Sequence, residues 1–122
     1  MITHVVHTDN APAALGPYSQ AISVNFAVKG TVVFCSGQIG IDPASGNLRE
    51  GFEAQVDQAF ANVQAVVAAA GGEISGIAKL TLFLTDLANF AVVNAKMESI
   101  FQKTVPSAFN GGCGVAAEGC AV

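Results

Sequence analysis

Tyr18 is the only tyrosine in the chain, and it stands in Leu15-Gly16-Pro17-Tyr18-Ser19-Gln20, where a Gly-Pro pair fixes the direction in which the ring leaves the backbone. A phenol held this way can close a pocket or anchor an interface, and the residue alone does not choose between them. The second candidate is Cys35-Ser36-Gly37-Gln38-Ile39-Gly40, a hydroxyl beside two glycines, which lets backbone amides approach a small anion. An ordinary strand-end turn is the simpler reading of the same residues. Cys35 alternates with Phe34 and is expected as a buried, inert thiol. Asn94 is a site candidate or an exposed polar position, with exposure the simpler expectation. His4 and His7 have an i, i+3 spacing that a metal pair would share, but near a terminus solvated histidines are the plainer reading. Neither GxGxxG, GxxxxGK nor HExxH occurs, and no spacing suggests a Ser-His-Asp set.

These residues need elements to position them. Ala21 to Phe26 and Thr31 to Ser36 are β-prone runs separated by Lys29-Gly30, which predicts a hairpin. Asp42-Pro43 and Ser45-Gly46-Asn47 predict a loop. From Gly51 the period changes. Phe52, Val56, Phe60, Ala59, Val63, Val66, Val67 and Ala70 recur at three- and four-residue steps, which predicts an amphipathic helix of about five turns stopped by Gly71 at the C′ position. Leu80, Leu82 and Leu84 then alternate with Lys79, Thr81 and Phe83, the period of a strand covered on one side. Thr85 or Asp86 can cap a second helix whose stripe is Phe90, Val93, Met97, Ile100 and Phe101, ending near Lys103 before Pro106. Val5, with the two histidines, can add an edge strand, and the tail from Ser107 carries no readable period. The order is that of an α+β layer fold, with a sheet packed on two helices in a single domain over residues 1–122.

Composition limits the functions available. At 122 residues, folding removes about two thirds of the extended chain's surface from water, so one sizeable core is possible. With 52% hydrophobic and only 11% charged residues, the chain is neither disordered nor fully served by its own interior, and an oligomer is expected. A net charge of -4 opposes phosphate binding, so no nucleic acid partner is expected. Apolar runs such as Val63 to Gly71 fall short of the roughly 18 to 20 residues a membrane span needs, which predicts a cytoplasmic protein with no membrane partner. Cys35, Cys113 and Cys120 are odd in number without a CxxC pair, so reduced thiols are expected rather than disulfides or zinc.

Taken jointly and in order, GPYSQA, CSGQIG, AxVxQAFxNVxAVVxAAGG (Ala54 to Gly72), KLTLFLTDLANFAVVN (Lys79 to Asn94) and MESIF resemble the YjgF/YER057c/UK114 group, also called the RidA family. The resemblance runs from about Asp9 to Pro106. It implies a chorismate-mutase-like fold with a mixed sheet on two helices, a homotrimer with helices outside, and ligand pockets between subunits. It also implies hydrolysis of enamine and imine intermediates such as 2-aminoacrylate, 2-iminopropanoate and 2-iminobutanoate to a 2-keto acid and ammonia, with no metal or organic cofactor. By motif, Tyr18 would close the pocket, Ser36 and the Gly37 backbone would contact ligand, and Phe90 and Asn94 would line or support it. The family holds the substrate carboxylate with an arginine in a Pro-Ala-Arg-Ser segment. Here Ala108 occupies that place, and the chain stops at Val122, about where a water-holding glutamate would fall. Arg49, the only arginine, matches no part of that motif.

Two further classes compete with the enzyme: a catalytically silent trimer that binds small carboxylic acids or acts as a chaperone-like protein, and, behind it, a ribonuclease. The tail itself carries a signal in the genetic code. Codons permitted for Ser107 to Val122, read one nucleotide later, can spell Ala-Arg-Ser-Thr-Val-Gly-Val-Ala-Ser-Leu-Pro-Lys-Gly-Ala-Leu, the family's C-terminal pattern with its arginine. Free third bases make one position easy to match and the whole run hard, so a one-nucleotide frameshift is the expectation for residues 107–122.

Overall fold

The computed structural model describes residues 2–26, 30–101, 107–112 and 120–121. Lys29 of the expected turn, Lys103 and Pro106 at the expected helix end, and Cys113 lie outside the described residues. Strand β1 (Ile2–Val6) is the expected edge strand, and it pairs antiparallel with β2 (Ala21–Asn25), which pairs antiparallel with β3 (Thr31–Cys35). The β2–β3 hairpin has Asn25 opposite Thr31, and Phe26 N–H donates to Gly30 O at 3.1 Å. Helix α1 (Phe52–Ala69) follows a loop whose ends are joined by a bridge between Ile41 and Leu48. It stops as expected: Gly71 takes φ 81°, its N–H donates to Ala68 O at 2.9 Å, and Gly72 N–H donates to Val67 O at 2.9 Å.

Strand β4 (Lys79–Leu84) buries Leu80, Leu82 and Leu84 and leaves Lys79 and Phe83 exposed, the alternation its sequence predicts. Asp86 accepts a hydrogen bond from Ala88 N–H at 2.9 Å and so caps a single 3-10 turn, from which α2 (Phe90–Phe101) runs on. In the tail, where no period was legible, β5 (Ser107–Gly112) lies parallel to β4 with Ala108 opposite Leu80, and β6 (Cys120–Ala121) pairs antiparallel on the other side of β4. The mixed sheet is thus built around β4, and the described pairings of β1, β2 and β3 form a second, antiparallel group. A Gly-rich segment reaches a sheet here because backbone pairing needs no side-chain pattern, and a parallel partner becomes available once α2 has carried the chain back.

Helix α1 serves both groups, which explains its weak one-sided amphipathicity. Val56 and Phe60 join Leu80, Leu82, Leu84, Val93, Met97 and Phe101 in one core cluster, with Phe52, Phe90 and Ile100 packed against it. Val66, nearer the other end, packs with Val6, Ala11 and Ala21. Burying each of these larger side chains contributes about 1.5 to 3 kcal/mol, so the two clusters fasten both sheets to one helix. Lys96 Nζ and Asp57 Oδ1, 2.6 Å apart, tie α2 to α1 at the surface. No helix among the described residues is long and apolar enough to cross a membrane.

Among the described residues, the far side of the first sheet is covered less completely. Val5, Ile22 and Phe34 are register partners on one face, beside Val24 and Val32, and Val5 and Phe34 are 70% and 64% exposed. Val24 on this face is buried and Ile22 half-buried, while the exposed Val5, Val32 and Phe34 around them are apolar side chains of the kind that mark an interaction surface.

Candidate functional site

The Gly-Pro turn does what its residue types dictate. Tyr18 N–H donates back to Gly16 O at 2.8 Å, and the ring folds so closely over Gly16 that a Cβ there would stand 2.9 Å from Tyr18 Cε1. The phenol oxygen accepts a hydrogen bond from Leu15 N–H at 3.3 Å. The ring is half in solvent, yet its position is defined by the backbone of the preceding residues.

Facing it is the CSGQIG turn. Ser36 N–H donates to Gln20 O at 2.8 Å, and the Ser36 hydroxyl donates to Ser19 O in a short hydrogen bond. With its proton so engaged, Ser36 keeps only acceptor capacity, the state of an acceptor rather than of a nucleophile, and it borders the cavity described below without being among its lining residues. Gly37 is exposed, and a Cβ built on it would meet no atom within 4 Å, so nothing inside the protomer demands a glycine there. Gly40 is different: a Cβ would lie 2.5 Å from Gln55 Cα, so the turn presses directly on α1.

Between turn and ring lies a cavity of about 120 Å³ lined by Pro12, Leu15, Tyr18, Gln38, Ile39 and the Gly37 backbone, among others. Two buried amides hold its walls. Gln20 bonds to Thr8, Ala11 and Pro12, and Asn62 on α1 donates to Ile39 O at 2.9 Å and Ile41 O at 2.8 Å while accepting from Gln58 Nε2 at 2.9 Å. Neither was singled out in the sequence. The signal was present: Gln55, Ala59, Asn62 and Val66 form one buried stripe on α1 at helical spacing, and a polar residue on such a stripe must be bonded to something.

The remaining candidates lie elsewhere in the protomer. Phe90 packs against the Leu80–Leu84 cluster, and Asn94, half-buried, donates to Glu98 Oε1 at 3.1 Å along α2. Neither lines the Tyr18 cavity. Ala108 is placed by its backbone on β5, beside Leu80. Arg49 lies 3.8 Å from Asp42 in the loop before α1 and lines a separate surface hollow with Asn47 and Glu50. Cys35 corrects an expectation: it is exposed, because it ends an edge strand whose only described neighbour is β2. Partial desolvation still pushes its thiol pKa up.

The chain resembles known proteins over almost all of its length. The sequence pattern of the endoribonuclease L-PSP family matches residues 8–122. A 2-iminobutanoate/2-iminopropanoate deaminase of Salmonella typhimurium is 43% identical over 100 residues, covering 82% of this chain and 74% of that protein. A RutC family protein of Pasteurella multocida is 43% identical over 102 residues, covering 84% and 75%. Among solved structures, RidA from an Antarctic Psychrobacter superimposes with a TM-score of 0.86 at 38% identity over 97% of this chain and 94% of that one. Escherichia coli TdcF with bound serine superimposes with a TM-score of 0.81 at 30% identity over 97% and 94%.

Proposed function

We propose that this chain, which belongs to the endoribonuclease L-PSP family, the YjgF/RidA group, is a deaminase that hydrolyses small 2-imino acids and their enamine tautomers to 2-keto acids and ammonia. The observation that carries the reading is the meeting of Tyr18 and the Gly37 backbone across a cavity of about 120 Å³, a volume suited to an acid of a few heavy atoms. The serine bound in TdcF is a molecule of that class, and the Salmonella relative's name states the reaction.

Chemically the enamine first takes a proton on its β-carbon to become the imine. Water then adds to the imine carbon and a proton goes to nitrogen. Collapse of that adduct breaks the C–N bond, leaving a ketone and free ammonia. The protein's task is to orient the acid, exclude all but one water, and supply hydrogen-bonding groups at nitrogen and at the adduct oxygen. Tyr18, the Ser36 lone pairs and the Gly37 N–H are the groups assigned to that work.

Phe90 and Asn94 do not line this cavity, so the complete pocket is assigned to an interface between copies of the chain. The apolar face of Val5, Ile22 and Phe34 supplies a surface for such assembly, and a homotrimer is the arrangement proposed. Pyruvate release from freshly generated 2-aminoacrylate tests the activity; no acceleration over buffer refutes it.

One observation favours a second reading. With alanine at position 108, a charge-assisted fork worth roughly 1.5 to 3 kcal/mol is absent, and the only arginine is beside Asp42. In that case the protein binds small carboxylates about ten- to a hundredfold more weakly than an arginine-bearing relative, without turnover. Calorimetric binding of 2-oxobutanoate with no catalysis is the result that selects it.

A further inference from the structure

Gln20 is 4% exposed, and its amide is spent on the segment that precedes Tyr18. Oε1 accepts from Thr8 N–H at 2.7 Å, and Nε2 donates to Thr8 O at 2.9 Å and Pro12 O at 2.8 Å, with Ala11 O at 3.3 Å as a further acceptor. An amide has only two N–H donors and both are engaged here, so Gln20, although it lines the cavity, has no donor left for a ligand. Its bonds have a direction in the fold. Pro12 begins the wall that runs through Leu15, and Leu15 N–H is the group that holds the Tyr18 phenol oxygen. On the main-chain side, the carbonyls of Ser19 and Gln20 receive the hydroxyl and the N–H of Ser36. The two halves of the cavity, the tyrosine wall and the strand-end turn, are therefore referenced to one residue.

We propose that Gln20 is a positioning residue that sets Tyr18 relative to Ser36 and Gly37. The proposal rests on the deaminase reading only for its catalytic consequence. A glutamine that merely filled the core would need bonds to any nearby backbone. This one instead spans up to twelve residues of chain to the loop that carries the reactive phenol.

The chain has one tyrosine and no tryptophan, so its near-ultraviolet emission reports Tyr18 alone. The test compares the wild-type protein with Gln20→Met, which keeps the volume and removes every polar group, and Gln20→Glu, which keeps the acceptor for Thr8 and loses the donors. Met97→Ala, in the other core cluster, is the control for general loosening. Both Gln20 variants should show Tyr18 emission more readily quenched by iodide, and kcat on 2-aminoacrylate about ten- to a hundredfold lower with KM little changed. Met97→Ala should lower Tm and leave the quenching as in wild type. Should a variant fail to fold, amide hydrogen exchange of wild-type Thr8 still decides, since the Gln20 bond requires it to be protected. Wild-type quenching in the Gln20 variants, equal quenching in Met97→Ala, or an unprotected Thr8 amide overturns the proposal. A wild-type protein that fails to release pyruvate refutes the deaminase reading and leaves the quenching and exchange arms standing as the judge of this one.

Discussion

Replacing Asn62 by alanine should be among the most damaging single changes that touch no ligand. The side chain is fully buried, donates to the carbonyls of Ile39 and Ile41 and accepts from Gln58. Gln58 is half-buried and can turn to water, so its loss costs little. The two carbonyls sit under the wall of the Tyr18 cavity and lose their partners, at about 1 to 2 kcal/mol each on the scale for stranding a partly buried acceptor. The sum, about 2 to 4 kcal/mol, corresponds for a chain of this size to a fall in Tm of about 8 to 16 °C. Thermal unfolding by circular dichroism measures it, at one protein concentration because assembly shifts the midpoint. Asn62→Asp sharpens the test. Its carboxylate keeps the acceptor for Gln58 but faces two carbonyls, so at neutral pH it should be at least as unstable as Asn62→Ala. As pH falls and the carboxyl takes up a proton it regains one O–H donor, and part of the loss should return. If Asn62→Ala and Asn62→Leu both stay within about 0.5 kcal/mol of wild type, the claim that this amide holds the cavity wall is wrong.

Phe34→Lys places a charge on an exposed edge of this sheet face and should shift the protein to smaller species in light scattering without unfolding it; an unchanged mass removes that face from the interface. Cys35 is exposed but its thiol pKa is raised by desolvation, so alkylation at pH 7.5, followed on the Cys35 peptide, should lag a free cysteine, and its rate should go on climbing with pH past about 8.5, where that of a free thiol begins to level off. Lys96 has its pKa raised, first by its hydrogen bond to Asp57 and then by that carboxylate's charge. The raised value means its stabilising contribution is present below the unfolded lysine pKa of about 10.4 and is lost as pH climbs through the folded value, so Lys96→Met should narrow a small Tm difference between pH 9 and pH 11.5. Intact mass and the coding DNA test the tail: codons unable to yield the shifted reading, together with a mass that fits Ser107 to Val122 as written, reject the frameshift.

Much of this molecule is legible one residue type at a time. The hairpin follows from two β-prone runs around a turn, α1 from its three- and four-residue steps and the glycine that stops it, β4 from strict alternation, and α2 from the stripe ahead of Phe101. The ordered motifs around Tyr18, Ser36 and Asn94 sufficed to point at the family. Periodicity describes a chain's relation to one buried face, however, and three features here depend on more than that. The tail enters the sheet through backbone pairing, which leaves no side-chain pattern to read. Cys35 is exposed because of where β3 stands in the strand order, which alternation along β3 does not encode. Asn62 and Gln20 work through carbonyls twenty-one and twelve positions away in sequence, and hydrogen bonds of that reach exist only once packing has brought the partners together and excluded the water that would otherwise satisfy them.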